Sequence, residues 1–77
     1  MKDLLILIAK NLVETPDEVD VDQDIRDDGA LILKLKVAEG DMGKVIGKQG
    51  RIARAIRTVI KAAAIHEGKK VVVEIAQ

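Results

Sequence analysis

The sequence predicts a two-layer α+β domain, with helices packed on one face of a three-stranded mixed sheet. Apolar residues recur with helical spacing in some regions and alternate with polar residues in others. The Asp28-Gly29 turn joins the first two strands, which are therefore antiparallel. Helices separate the second strand from the third, so these two can lie parallel through a right-handed crossover. The predicted order is helix, strand, strand, helix, helix, strand.

Length and composition restrict the function classes. The 77 residues accommodate one hydrophobic core, so residues 1–77 are predicted to form a single domain. The chain contains no cysteine, which excludes disulfides and thiolate metal sites. It contains no aromatic residue either, which excludes the stacking platforms of RRM and OB modules. The apolar run at residues 4–9 is too short for a signal peptide or a membrane span. We therefore expect a cytoplasmic protein without membrane insertion.

The charge is distributed unevenly although the formal net charge is zero. Residues 1–42 carry eleven acidic and five basic residues, whereas residues 43–77 carry two acidic and eight basic residues. Such an asymmetry indicates an oriented interaction with a polyanion. The alternative is that these charges simply solvate the surface.

The first quarter of the chain is predicted to form a helix over residues 2–13. It ends before Pro16, because the residue before a proline avoids helical geometry. A short strand over residues 4–8 is the competing interpretation of the apolar run. Other apolar residues of this segment fall outside the main helical face, so we expect a second element or a dimer partner to cover them. Ile65, which falls on the polar side of a later helix, is the other candidate for a dimer surface. The main face consists of Leu4, Leu5, Ile8 and Leu12.

Three segments alternate with period two and are predicted to be strands, at residues 19–25, 30–38 and 69–76. Counting an EF-hand loop from Asp20 places Ile25 and Leu31 where a glycine and a glutamate are needed, so the aspartates of the first strand are not read as a calcium site. The residues predicted to face the core are Val19, Val21 and Ile25, then Leu31, Leu33, Leu35 and Val37, then Val71, Val73 and Ile75.

Two helices are predicted between the second and third strands. Asp41 is a good N-cap for a short helix over residues 42–46, which would end at Gly47. A second helix runs from Arg51 to about residue 65 and stops before Glu67-Gly68. Its buried stripe would be Ile52, Ile56, Val59, Ile60 and Ala63, and its opposite side carries Arg51, Arg54, Arg57 and Lys61.

The segment Gly47-Lys48-Gln49-Gly50 is the strongest functional signal. Glycine is used where the backbone needs positive φ or must come close to another molecule. The second glycine opens a helix, whose free N–H groups and positive dipole end favour a phosphate. Two glycines at this spacing are common by accident, so the flanking residues carry the argument.

Residues 41–57, Asp-Met-Gly-Lys-Val-Ile-Gly-Lys-Gln-Gly-Arg-Ile-Ala-Arg-Ala-Ile-Arg, closely resemble the loop and helix of the small bacterial single-KH-domain RNA-binding proteins, the KhpA-like family. The resemblance implies a type II KH fold with its minimal motif at about residues 30–76. It implies single-stranded RNA binding in a groove between the paired helices and the sheet. It also implies homodimers, heterodimers with a larger KhpB/Jag-like KH protein, and post-transcriptional or RNA-chaperone roles connected with cell shape.

The residues expected to bind RNA lie in and around this loop. Lys48 is predicted to contact a phosphate, with Gln49 beside it, and the two glycines let the backbone approach. Arg51 and Arg54 would extend the phosphate contacts, and Lys44 would flank the loop. The predicted RNA-binding set is Lys44, Ile46, Gly47, Lys48, Gln49, Gly50, Arg51 and Arg54, with Ala53 and Ile32 as further candidates for base contacts.

A non-enzymatic function is expected. The phosphate-binding motif of P-loop enzymes is absent, and a chain without Ser, Cys or Tyr and with a single His, His66, lacks most nucleophile and base constellations. No metal or cofactor is expected. The second functional hypothesis is a protein–protein dimerisation scaffold linked to cell division or elongation, with little RNA affinity of its own. Arg57 and Lys61 are interpreted as a solvated face.

Overall fold

The computed structural model describes residues 1–75, apart from the side chains at 48 and 49. The elements are α1 (Lys2–Leu12), a one-turn 3₁₀ helix (Pro16–Glu18), β1 (Asp20–Ile25), β2 (Leu31–Lys36), α2 (Glu39–His66) and β3 (Val71–Ile75). The helical interpretation of residues 2–13 is confirmed. The 3₁₀ turn was missed, although proline at the first position of a helix is a known signal.

The three strands form one mixed sheet in the order β1-β2-β3. β1 is antiparallel to β2, with Val21 opposite Leu35, and β2 is parallel to β3. The predicted tight turn between β1 and β2 is present: Gly29 has φ 86°, and the Arg26 N–H donates to the Ala30 carbonyl at 2.9 Å. The α+β class and the mixed sheet are therefore confirmed, as the type II KH fold requires.

The core lies between the helices and one face of the sheet. Its buried cluster consists of Leu5, Ala9, Val21, Leu33, Leu35, Ile56, Ile60 and Val73. Inward-facing strand residues alternate with outward-facing ones as predicted for β2 and β3. A single layer of helices covering a single face of the sheet follows from this arrangement.

Three residues predicted to be buried are instead exposed. Ile25 has 66% of its surface exposed, because it is the last residue of β1, which is an edge strand. Val59 is 45% exposed and Leu12 is 40% exposed. In α2 the buried stripe is centred on Ile56 and Ile60, and small alanines, which allow close approach, complete it. These alanines are Ala53 and Ala64.

α2 consists of two helical segments that meet at Gly50. A straight helix of 28 residues would be about 40 Å long, which exceeds the 34 Å long axis of the molecule. Gly50 has φ 68°, which an uninterrupted right-handed helix does not contain. The predicted helix end at Gly47 was therefore wrong, since Gly47 continues the first segment (residues 39–49) and Gly50 separates it from the second (residues 51–66). Neither α1 nor α2 combines the length and apolar character that crossing a membrane requires.

Asp41 is not the N-cap that the sequence suggested. α2 begins earlier, at Glu39, with Ala38 in the capping position and no side-chain cap. Asp41 lies within the first turn and is only 2% exposed. Its carboxylate accepts the backbone N–H groups of Glu14 and Thr15, at 3.1 and 3.0 Å. It therefore fastens the connection after α1 to the start of α2.

Candidate nucleic-acid interface

The predicted loop coincides with the junction between the two segments of α2. Gly50 has left-handed geometry, whereas Gly47 has not. A Cβ built at either glycine meets no heavy atom within 4 Å. The need for glycine at 50 is therefore conformational and not steric, and the backbone at both positions is open to a ligand.

The side chains of Lys48 and Gln49 lie outside the described part of the structure. Their backbone belongs to the first helical segment of α2 and precedes the left-handed residue Gly50. Their predicted contacts with phosphate therefore stay predictions based on the sequence.

Two cations follow the junction on the surface of the second segment. Arg51 and Arg54 are both exposed. Among the described side chains neither forms an ion pair, and the Arg54 carbonyl accepts a hydrogen bond from the Thr58 hydroxyl at 2.8 Å. They are separated by about 4.5 Å of helix rise, so they present adjacent positive charges beside Gly50.

An apolar surface lies on the other side of the junction. Ile46 is 40% exposed and borders a shallow depression on the first segment of α2. The residues lining this depression are Glu39, Met42, Gly43, Ile46 and Gly47. Ile46, Ala53 and Ile32 were predicted to contact bases, and of these Ile46 alone is exposed. Ala53 is buried in the helical layer, at 5% exposure.

Ile32 does not belong to this surface, which corrects its prediction as a base contact. It is buried at 6% exposure, and strand alternation places it on the sheet face opposite Leu33. Its neighbours in register are Asp24 on β1 and Val72 on β3. A residue on that face cannot line a groove on the helical side.

Lys44 lies apart from the other predicted contacts. It forms an ion pair with Glu14, whose backbone Asp41 holds. At 100° per residue, Lys44 and Ile46 point to nearly opposite sides of the helix. Neither contact is evident from the sequence, because Glu14 is 30 residues from Lys44 and 27 residues from Asp41.

The acidic strand β1 does not assemble a metal site. Asp22 forms an ion pair with Lys36 of the neighbouring strand at 3.2 Å, and both side chains are more than half exposed. Within residues 1–75, apart from the two side chains left undescribed, no three acidic or histidine side chains come together in a way that could hold a metal ion.

Comparison with known proteins assigns this arrangement to a family. The family model described as "KhpA/KhpB, KH domain" matches residues 2–75. The chain is 67% identical over 75 residues to the RNA-binding protein KhpA of Clostridium acetobutylicum, covering 97% of this chain and 99% of that protein. It is 63% identical over 75 residues to KhpA of Clostridium perfringens, with the same coverage. It is 46% identical over 77 residues to KhpA of Aquifex aeolicus, covering 100% of this chain and 96% of that protein.

Proposed function

Since the chain belongs to the KhpA/KhpB family of KH-domain proteins, we propose that it binds single-stranded RNA at the junction of the two segments of α2. The observation that carries this proposal is the left-handed Gly50, which opens a helix bearing two exposed arginines. Backbone N–H groups at that helix start and the cations Arg51 and Arg54 suit consecutive phosphates. The names of the relatives support the same ligand.

The proposed RNA-binding site has a part that binds the RNA backbone and a part that faces the bases. Gly47, Lys48, Gln49 and Gly50 hold a phosphate, with the glycines allowing close approach and Lys48 supplying the charge. Ile46 offers an apolar surface for a base. Because phosphate contacts carry no sequence information and the chain contains no aromatic residue, the domain binds weakly and with low sequence specificity.

Lys44 is an outer member of this site. Its ion pair with Glu14 joins two side chains that are 52% and 73% exposed, so the pair contributes at most about 1 kcal/mol and exchanges readily. Lys44 adds positive potential near the junction when the pair opens.

The protein acts as a dimer in this proposal. Leu7 on α1 is 60% exposed, and a partner covering it would remove apolar surface from water. Two linked domains raise the effective affinity for one RNA strand. The partner is a second copy or a larger KH protein of the KhpB/Jag kind, and the dimer has a post-transcriptional or RNA-chaperone role in the cytoplasm.

NMR titration with a short single-stranded RNA tests the binding site. Amide shifts at Gly47, Gly50, Arg51 and Arg54, without comparable shifts on β1, are expected. A duplex of the same sequence serves as the control and should perturb these amides less, because its bases are not accessible. Shifts confined to the sheet would refute the site.

Sedimentation velocity tests the dimer. The wild type is expected to sediment as a dimer at micromolar concentration, and Leu7→Asp as a monomer. A wild-type monomer would contradict the dimer and leave the RNA site standing. Salt-insensitive self-association without any RNA affinity would instead favour the second hypothesis, a protein–protein scaffold linked to cell division or elongation. The surplus apolar surface on α1 is the observation in its favour.

A further inference from the structure

A second surface lies away from the α2 junction, in the groove between the end of α2 and the outer edge of β3. Its lining residues from the helix are Arg57, Ile60, Lys61, Ala64 and Ile65, and those from the strand side are Lys69, Lys70, Val71, Val72 and Val73. The floor is apolar and the rim is basic. We propose that this groove binds an extended acidic peptide segment of another protein, which adds to β3 as a fourth strand.

The backbone of β3 offers the hydrogen-bonding groups that such a strand needs. β3 is at the end of the sheet order, and its outer edge pairs with no other strand of residues 1–75. The Leu31 N–H donates to the Lys70 carbonyl at 2.9 Å, which fixes the parallel pairing of β2 with β3. In a parallel pair the groups of alternate residues point to alternate sides. The N–H and C=O groups of Val71, Val73 and Ile75 therefore point outward.

The groove above this edge suits an apolar side chain of the added strand. Ile60 and Ala64 are buried at its base, while Ile65 stands 68% exposed on its rim. Ile65 has no place in the core, because it faces the polar side of α2. An extended peptide paired with β3 directs alternate side chains toward the helix, where one apolar residue would cover Ile65.

The charges of the rim select an acidic partner. Arg57 and Lys61 are exposed and form no ion pair among the described side chains. Lys69 and Lys70 are exposed as well and form only long ion pairs. The Lys69 Nζ lies 3.7 Å from the Glu67 carboxylate, and the Lys70 Nζ lies 3.4 Å from that of Asp28. Four cations around an apolar floor complement a peptide whose helix-facing side presents acidic and apolar residues in turn.

A peptide fits these features better than an RNA strand does. Main-chain groups spaced along β3 match the repeat of another polypeptide strand. The carboxylates of Glu67 and Asp28 lie among the cations and repel a backbone that carries a charge on every nucleotide. Such a peptide carries a charge on only every fourth residue and can avoid them.

The test is an NMR titration with the capped octapeptide Asp-Thr-Val-Thr-Asp-Thr-Val-Thr, in which aspartate and valine share one face of the strand. Shifts at the amides of Val71, Val73 and Ile75 are expected. Three controls are expected to show binding at least about tenfold weaker. They are the same peptide with asparagine for aspartate, the peptide N-methylated at alternate residues, and the original peptide titrated into the Arg57→Glu/Lys61→Glu variant. The Lys48→Asp/Gln49→Asp variant should bind the peptide like the wild type.

Several outcomes would overturn the proposal. Absence of shifts at about 1 mM peptide would do so, since the Kd would then lie well above 1 mM. Equal binding of the neutral peptide would remove the role of the cations. Loss of RNA binding in Arg57→Glu/Lys61→Glu with unchanged peptide binding would assign the groove to RNA. Concentration-dependent shifts at the same amides without peptide would assign it to a second copy of the chain.

Discussion

Asp41 accepts the backbone N–H of Thr15 at 3.0 Å, and through its other oxygen that of Glu14 at 3.1 Å. This buried carboxylate therefore joins the segment after α1 to the first turn of α2. Because it holds the backbone of Glu14, it also positions the carboxylate that pairs with Lys44. One side chain thus links the packing of α1 to the electrostatics near the Gly47–Gly50 junction.

Replacing Asp41 by alanine is expected to lower the free energy of unfolding by about 2–4 kcal/mol, because two charge-assisted hydrogen bonds disappear and two partly buried N–H groups lose their acceptor. Urea denaturation measures the change. Asp17→Ala, at an exposed acid on the neighbouring 3₁₀ turn, should stay within about 0.5 kcal/mol of the wild type. Equal effects of the two substitutions would contradict the role of Asp41.

The two glycines of the junction are expected to respond in opposite ways to alanine. Gly50→Ala should cost about 1–2 kcal/mol of stability, because an L-residue is strained at φ 68°. Gly47→Ala should add about 0.5–1 kcal/mol, because alanine is the better helix former and its Cβ meets no atom within 4 Å.

Gly47→Ala is also expected to weaken RNA binding, since its methyl group holds a phosphate away from the backbone. Thermal unfolding and RNA titration of the same samples separate the two effects. A Gly47→Ala variant that is more stable and binds RNA as well as the wild type would show that no phosphate approaches this residue.

Glu14→Gln is expected to raise the affinity for single-stranded RNA about two- to threefold at low salt, because it releases Lys44 and removes a negative charge near the junction. The double variant Glu14→Gln/Lys44→Gln should lose this gain. Fluorescence anisotropy measures the affinities, with Glu18→Gln as a control for net charge alone. A gain of the same size in Glu18→Gln would remove the specific role of the Glu14–Lys44 pair.

Asp28 makes stability depend on pH in the acid range. The Ala30 backbone N–H and then the Arg26 guanidinium hydrogen-bond its carboxylate, which lowers its pKa from 3.8 to about 2. A lowered folded-state pKa stabilises the fold above the unfolded pKa, and this contribution disappears as the pH falls from about 4 through 2. Asp28→Asn should therefore be less stable than the wild type at neutral pH, and the difference should shrink from about pH 4 downward and vanish below about pH 2. A difference of unchanged size at pH 2, measured by urea denaturation, would contradict this assignment.

The sequence was sufficient for the fold because local patterns determine most of it. Alternation places Leu33 and Leu35 in the core, and the Asp28-Gly29 turn sets the first pairing. The resemblance identified the family, and the comparisons confirm it.

The remaining errors concern contacts between distant segments and positions at element ends. The sequence predicts Asp41 to be a helix cap, because no local pattern shows that its carboxylate accepts the backbone N–H groups of Glu14 and Thr15. Either Gly47 or Gly50 could end the first helical segment by sequence, and the tertiary path of α2 selects Gly50. The groove at β3 could not be predicted, because periodicity alone does not show how the end of α2 packs beside the strand.

The central claim is that the α2 junction clamps the RNA backbone through a few positive charges. The most direct measurement is an anisotropy titration of a short single-stranded RNA at two salt concentrations, for the wild type and for Lys48→Asp/Gln49→Asp. With about three phosphates neutralised, affinity should fall about twentyfold between 50 and 200 mM salt. The variant should show no binding while circular dichroism reports an intact fold. Binding by the variant equal to that of the wild type, or wild-type binding that does not change with salt, would contradict the account.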